Sequence, residues 1–201
     1  MDARTIAGSA DVVRLLRRSH DTTAELIGRI TADGWAAPSA CTGWTVRQAA
    51  DHLTGALLLI ARIAAGETVD PAEVDAQYQA DTDHLGADPA TAFRAVTGRS
   101  LAVFGEPGAL DREFPFITGP ASGATLASVS LLESLVHGWD IARGAGLRYP
   151  ADDEVVAAAW AFARDTVGDD RRRDGMFAAA VPVDPAAAPF TALLAHLGRR
   201  A

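Results

Sequence analysis

Residues 124–143, ATLASVSLLESLVHGWDIAR, carry the decision about the fold. The run holds no proline and is dense in Leu, Val and Ile, with a Gly119, Pro120 and Gly123 turn cluster before it and Gly144 after it, which predicts a long helix. Leu131, Leu132, Leu135, Val136, Trp139 and Ile141 make nearly every face of that helix apolar, the pattern of a helix surrounded by protein. Glu133 and His137 interrupt it four residues apart, which puts them on one face with Cβ atoms about 5 to 6 Å from each other. An unpaired buried carboxylate costs several kcal/mol, so this pair calls for a cation or a strong hydrogen-bond network. The i, i+4 spacing can supply two metal ligands without straining the backbone; a structural ion pair is the alternative reading.

Three more long helices flank this one. Val12, Leu15, Leu16, Ile27 and Ile30 recur at helical spacing from about Ser9 to Thr31. Thr45 with Gln48 matches a capping box, and the helix it opens runs from Val46 to about Ala65, stopping at Gly66. Asp88 followed by Pro89 is an N-cap with proline at the first helical position, and Phe93, Val96, Leu101 and Phe104 continue the apolar face to Gly105. Between these, Glu67 to Gly86 reads as a short helix plus loop and Phe114 to Ile117 as a brief extended segment. Beyond Gly144, Asp152 or Asp153 caps a helix to about Val167, Phe177 to Val183 looks extended, and Pro189 to Leu197 is a short terminal helix. Strands do not alternate with helices, so the expected architecture is a mainly α four-helix bundle over residues 1–150, with residues 151–201 as a small C-terminal α/β elaboration packed on it. An irregular α+β domain is the other reading.

Composition narrows the function classes. A formal charge of -8 disfavours a protein that tracks a nucleic-acid backbone. The one dense basic run, Arg171 to Arg173, sits among Asp169, Asp170 and Asp174 and reads as a solvated loop. The most apolar stretch, Ala56 to Ile63, is interrupted by Arg62 and falls short of the roughly 20 residues that span a bilayer. Cys41 is the single cysteine and the start of the chain lacks the pattern of a secretory signal, so a reducing cytoplasmic setting without disulfides is expected.

His52 lies inside the second long helix, beside Ala49, Ala50 and Leu53, and is the third candidate ligand. At this point the sequence becomes recognisable. Cys41-Thr42-Gly43-Trp44-Thr45-Val46-Arg47 followed by His52-Leu53, and later Glu133 to His137 continuing as Gly138-Trp139-Asp140, resemble the mycothiol-dependent maleylpyruvate isomerases within the DinB-like superfamily. Pro182-Val183, Leu193-Leu194 and Leu197-Gly198-Arg199 are similar to the ending of an uncharacterised actinobacterial branch of that family. The resemblance implies a DinB-like bundle with a divalent ion held by His52, Glu133 and His137, usually zinc, with nickel or another ion as alternatives. It does not extend to the large substrate-binding C-terminal domain of the full isomerases, so it implies no substrate.

Two histidines and one carboxylate leave a coordination position open, as in catalytic zinc sites. A bound thiol or water there becomes a nucleophile near neutral pH, and in the family that nucleophile is usually a low-molecular-weight thiol such as mycothiol. Asp140 follows His137 by three residues and can accept a hydrogen bond from a ligand histidine, orient a bound water as base, or form a salt bridge with Arg143. Trp44 and Trp139 are expected to wall the pocket. Cys41 precedes a helix start, where thiolates are favoured, but an inert buried cysteine is the simpler reading. His20, His84 and His196 have no convergent partners and read as structural or exposed. The expected activity is metal-dependent transfer or isomerisation by a small thiol on an electrophile; a metal-dependent hydrolase and a non-catalytic metal- or ligand-binding protein are the alternatives. The partners are small molecules, and a homodimer is plausible.

Overall fold

The computed structural model describes residues 9–117, 119–169, 172 and 177–201. Four long helices build the core: α1 (Ser9–Ile27), α3 (Val46–Ala64), α5 (Pro89–Phe104) and α6 (Gly123–Gly144). Shorter helices α2 (Ala32–Ala36), α4 (Ala76–Asp81), α7 (Asp153–Thr166) and α8 (Pro189–His196) accompany them, with 3-10 turns at Pro71–Val74 and Ala109–Asp111. α1 and α3 each pack on both α5 and α6, so they occupy opposite corners of the bundle. α6 also carries α7, which explains why its apolar residues point every way: three helices and the Ala109–Asp111 turn cover it. Leu126, Leu131, Leu135 and Ile141 are fully buried there, and truncating one such leucine to alanine costs about 2 to 5 kcal/mol.

The predicted starts are set by side-chain caps. The Thr45 hydroxyl accepts from the Gln48 N–H while the Gln48 side chain accepts from the Thr45 N–H, closing the capping box on α3. Asp88 caps α5, Ser122 caps α6 and Asp152 caps α7. The first helix differs from its reading: it ends at Ile27 rather than Thr31, because the chain turns at Gly28 and the Thr31 side chain caps the next helix, α2, by accepting from the Gly34 N–H.

The extended segment expected at Phe114 is half of a small antiparallel pair, β1 (Glu113–Phe114) with β2 (Ala121–Ser122), lying between α5 and α6. The Phe177 to Val183 stretch forms no ladder among the described residues; its Val181 N–H donates to the Ala195 carbonyl, tying it to α8. Arg171 and Arg173 lie outside the described residues. Arg172 departs from the solvated reading, since its guanidinium donates to the Ala178 and His196 carbonyls. No helix among the described residues is long and apolar enough to cross a membrane.

Candidate metal centre

α3 and α6 run side by side, and their facing sides bring His52, Glu133 and His137 together. One ligand-type atom from each residue lies within 4.8 Å of the other two. Glu133 Oε2 is 3.2 Å from His137 Nε2 and 3.9 Å from His52 Nε2, and the two imidazoles meet edge to face with centroids 4.9 Å apart.

Each histidine has its outer nitrogen committed elsewhere. His52 Nδ1 is 3.3 Å from the Ala76 carbonyl on α4, an oxygen that can only accept, so Nδ1 carries the proton and Nε2 turns its lone pair inward. His137 Nδ1 is 3.1 Å from Asp140 Oδ2, so its outer nitrogen is likewise engaged and Nε2 is the atom that faces the site. A carboxylate behind a histidine in this way orients the ring and raises its basicity as a ligand. Glu133 Oε2 is buried with no hydrogen-bond partner among the described residues: its approach to His137 lacks hydrogen-bonding geometry. Two inward Nε2 atoms and a carboxylate oxygen without a hydrogen-bond partner make a candidate cation site, and the N, N, O donor set suits a divalent ion such as zinc.

Burial and the neighbouring His137 lower the His52 pKa to about 4, keeping that ring neutral at pH 7. Burial disfavours the Glu133 charge, but His137, His52 and Arg199 outweigh it and hold the carboxyl at about 2. Burial would likewise discharge His137, yet its contacts with Asp140, Cys41 and Glu133 raise it well above the ordinary histidine value, so without an ion its Nε2 keeps a proton that a metal would have to displace. Asp140 is fully buried, and His137 and Arg199 overcome that burial to hold it well below the usual carboxylate range.

The expected partner of Asp140 is not the one it has. Arg143 stacks over the Trp139 ring, 5.8 Å from its centroid, while Arg199 reaches Asp140 with Nε at 3.0 and 3.1 Å from the two carboxylate oxygens and Nη2 at 2.7 Å from Oδ2. Gly198 makes this reach feasible: it adopts φ +85, and a Cβ there would lie 2.6 Å from Ala178 Cβ. Sequence reasoning missed Arg199, since 59 positions separate it from Asp140; its only signal was the Leu197-Gly198-Arg199 ending.

Cys41 is partly exposed, with Sγ donating to Asp140 Oδ2 at 3.2 Å and 3.5 Å from His137 Nδ1. Cys41, His137 and Asp140 thus form a second ligand-type group. It is the weaker candidate, because Asp140 is already matched by Arg199 whereas Glu133 Oε2 has no partner. Trp44 stacks on His52 at 4.8 Å and is tied to α4 through its Nε1–H bond to Gln77. Trp44 lines the cavity above the three ligands; Trp139 is not among its lining residues. His20, His84 and His196 belong to neither ligand group.

That cavity has a volume of about 710 Å³. The loop before α3, α3, α4, α6, α7 and the C-terminal residues 197–199 all contribute to its wall, so the elements beyond the bundle help to enclose the site.

Two uncharacterised proteins of Mycobacterium tuberculosis are similar: one is 27% identical over 184 residues, covering 91% of this chain and 94% of its own. The other is 28% identical over 171 residues, covering 72% of this chain and 60% of its own. No solved structure matches. The family model for the mycothiol maleylpyruvate isomerase N-terminal domain matches residues 16–142, which span α3, α5 and all three converging side chains, and the chain belongs to that family.

Proposed function

We propose that this protein is a metal-dependent enzyme that adds a low-molecular-weight thiol, mycothiol or a close analogue, to a small electrophile, by transfer or with isomerisation. The observation that carries the reading is Glu133 Oε2, buried without a partner and faced by two imidazole nitrogens whose outer positions are already engaged.

His52, Glu133 and His137 would hold a divalent ion, zinc by the donor set, leaving a position open to a small molecule. Such an ion lowers the pKa of a thiol bound to it, making thiolate available near neutral pH. The protein's own groups do the rest. The Ala76 carbonyl and Asp140 lock the two rings so that Nε2 faces the site. Trp44 covers His52 and limits water entry. Asp140 is a positioning residue here rather than a base: both its oxygens accept from Arg199, and Oδ2 also meets His137 and Cys41. The loss of a free base argues against the hydrolase alternative. A cavity of about 710 Å³ is large enough to hold thiol and electrophile together.

The test is metal analysis of the purified full chain, then incubation with mycothiol and an electrophile and mass spectrometry for conjugates. Near-stoichiometric divalent metal and conjugation above the uncatalysed rate are expected, both lost in His52→Ala and Glu133→Ala. Metal retained by both variants overturns the ligand assignment, and metal-loaded protein without conjugation overturns the thiol chemistry.

A further inference from the structure

Ala76 opens α4 and its carbonyl meets His52 Nδ1, so whatever seats α4 on α3 also sets the orientation of that imidazole. α4 is six residues long. A helix that short does not hold itself together in water, and its place comes from contacts with the rest of the protein. On its outer side these are exposed hydrogen bonds, from Trp44 Nε1 to Gln77 Oε1 at 2.9 Å and from Gln48 Nε2 to Asp81 Oδ1 at 3.0 Å, which compete with water.

The inner side is held differently. Gln79 is 3% exposed, and its amide lies against α3 at Gly55, three residues after His52 on the same side of the helix. A Cβ on Gly55 would lie 1.8 Å from Gln79 Oε1, 2.8 Å from Gln79 Cδ and 2.5 Å from His84 Nε2, each well inside van der Waals contact. A loose amide would swing aside from an added methyl. This one is enclosed and its Nε2 donates to the Glu73 carbonyl, so moving it breaks a buried bond. His84 is fixed as well, because its N–H and that of Leu85 donate to the buried Asp51 Oδ1 at 2.9 and 3.1 Å, one turn before Gly55. Helix propensity does not account for Gly55, since alanine is favoured over glycine inside a helix such as α3. The close approach of Gln79 and His84 does.

Resting on the ligand role proposed for His52, we infer that Gly55 is a positioning residue for the metal site. By carrying no side chain it lets Gln79 seat α4 close enough to α3 for the Ala76 carbonyl to accept the Nδ1 proton of His52, which turns Nε2 toward Glu133.

The experiment is Gly55→Ala in the full chain, a change that α3 itself tolerates. The tautomer of His52 is read in metal-free protein at pH 7 by long-range proton–nitrogen correlation NMR, its signals identified by their loss in His52→Gln. Wild type is expected to carry the proton on Nδ1 and Gly55→Ala to lose that form. Gly55→Ala combined with Gln79→Ala, which gives the new methyl the space of the amide, is expected to recover it. Leu16→Ala, a core change on α1, is expected to keep the wild-type tautomer, which separates positioning from a general loosening of the fold. Zinc affinity, by competition with a chromogenic chelator, should fall roughly 10- to 100-fold in Gly55→Ala, as for the loss of an outer partner. A tautomer unchanged by Gly55→Ala, or lost equally in Leu16→Ala, overturns the inference. Because the tautomer is read without metal, the two readings fail separately. The expected tautomers with no zinc bound by wild type reject the ligand assignment and keep the seat, whereas zinc binding that depends on His52 with an unchanged tautomer in Gly55→Ala rejects the seat alone.

Discussion

Glu133 and Ser134 are neighbours on α6 and both are drawn into the protein, yet the two sides of the helix treat them in opposite ways. On the α1 side, Ser134 Oγ accepts from Ser19 Oγ at 3.0 Å, its carbonyl accepts from Thr23 Oγ1 at 3.2 Å, and Thr23 Oγ1 also lies 3.1 Å from the Tyr149 hydroxyl. That seam is neutral, and its hydroxyls find partners in one another and in the backbone. On the α3 side, Glu133 Oε2 has no hydrogen-bond partner among the described residues and the Nε2 atoms of two imidazoles face it. A satisfied polar seam stabilises helix pairing modestly, whereas an unsatisfied charged one is a standing cost that folding alone would remove. The contrast supports the proposal that the second seam is shaped for something that arrives from outside.

The largest way to break the contrast is Glu133→Ala or His52→Ala. Each removes a proposed direct ligand and should weaken metal affinity by more than the roughly 10- to 100-fold that loss of an outer partner costs, read by competition with a chromogenic chelator. Asp140→Asn keeps the three ligands but removes the carboxylate behind His137, so affinity should fall within that roughly 10- to 100-fold range; unchanged affinity would show that Asp140 only anchors Arg199.

On the neutral side the effects concern folding. A Cβ at Gly138 would lie 2.6 Å from the Tyr149 ring and 2.8 Å from Thr23 Oγ1, so Gly138→Ala should destabilise by about 1 to 3 kcal/mol through overpacking, measured by urea unfolding. Ser134→Ala removes one buried hydrogen bond to Ser19 and should cost about 1 kcal/mol with metal affinity unchanged. A loss of metal in Ser134→Ala would mean that the two faces are coupled.

His20 supplies the smallest effect near neutrality. It is buried on α1, edge-on to Phe93, with neither ring nitrogen partnered among the described residues, and burial followed by the charge of Arg17 pushes its pKa down to about 3. The folded chain excludes a proton that the unfolded chain takes up below its ordinary value near 6.5, so stability is lost as pH falls from about 6.5 toward 3. The loss should be about 0.8 kcal/mol at pH 6 and approach about 1.4 kcal/mol per unit below that. His20→Leu should flatten this part of the acid limb, and an unchanged limb would rule out the residue as its source.

Much of the bundle was legible because its signals are local. The caps at Thr45, Asp88 and Asp152 and the apolar run of α6 each read within a few residues. The i, i+4 pair on α6 was legible for the same reason. The early end of α1 was not, because Ile30 continues the apolar spacing past the turn at Gly28 and only the Thr31 cap reveals the break. Arg199 was illegible as the partner of Asp140, since nothing local distinguishes it from Arg143, which stands three residues from Asp140 and turns instead to Trp139.

Taken alone, the chain of residues determined the helices, their caps and the chemical types available at His52, Glu133 and His137, because periodicity and capping act over one or two turns. Only the tertiary structure decided that His52 meets the other two, that Ala76 and Asp140 turn both rings inward, and that Arg199 closes on Asp140. Those contacts join segments tens of residues apart, and their geometry is set by how whole helices pack rather than by any preference the individual residues carry.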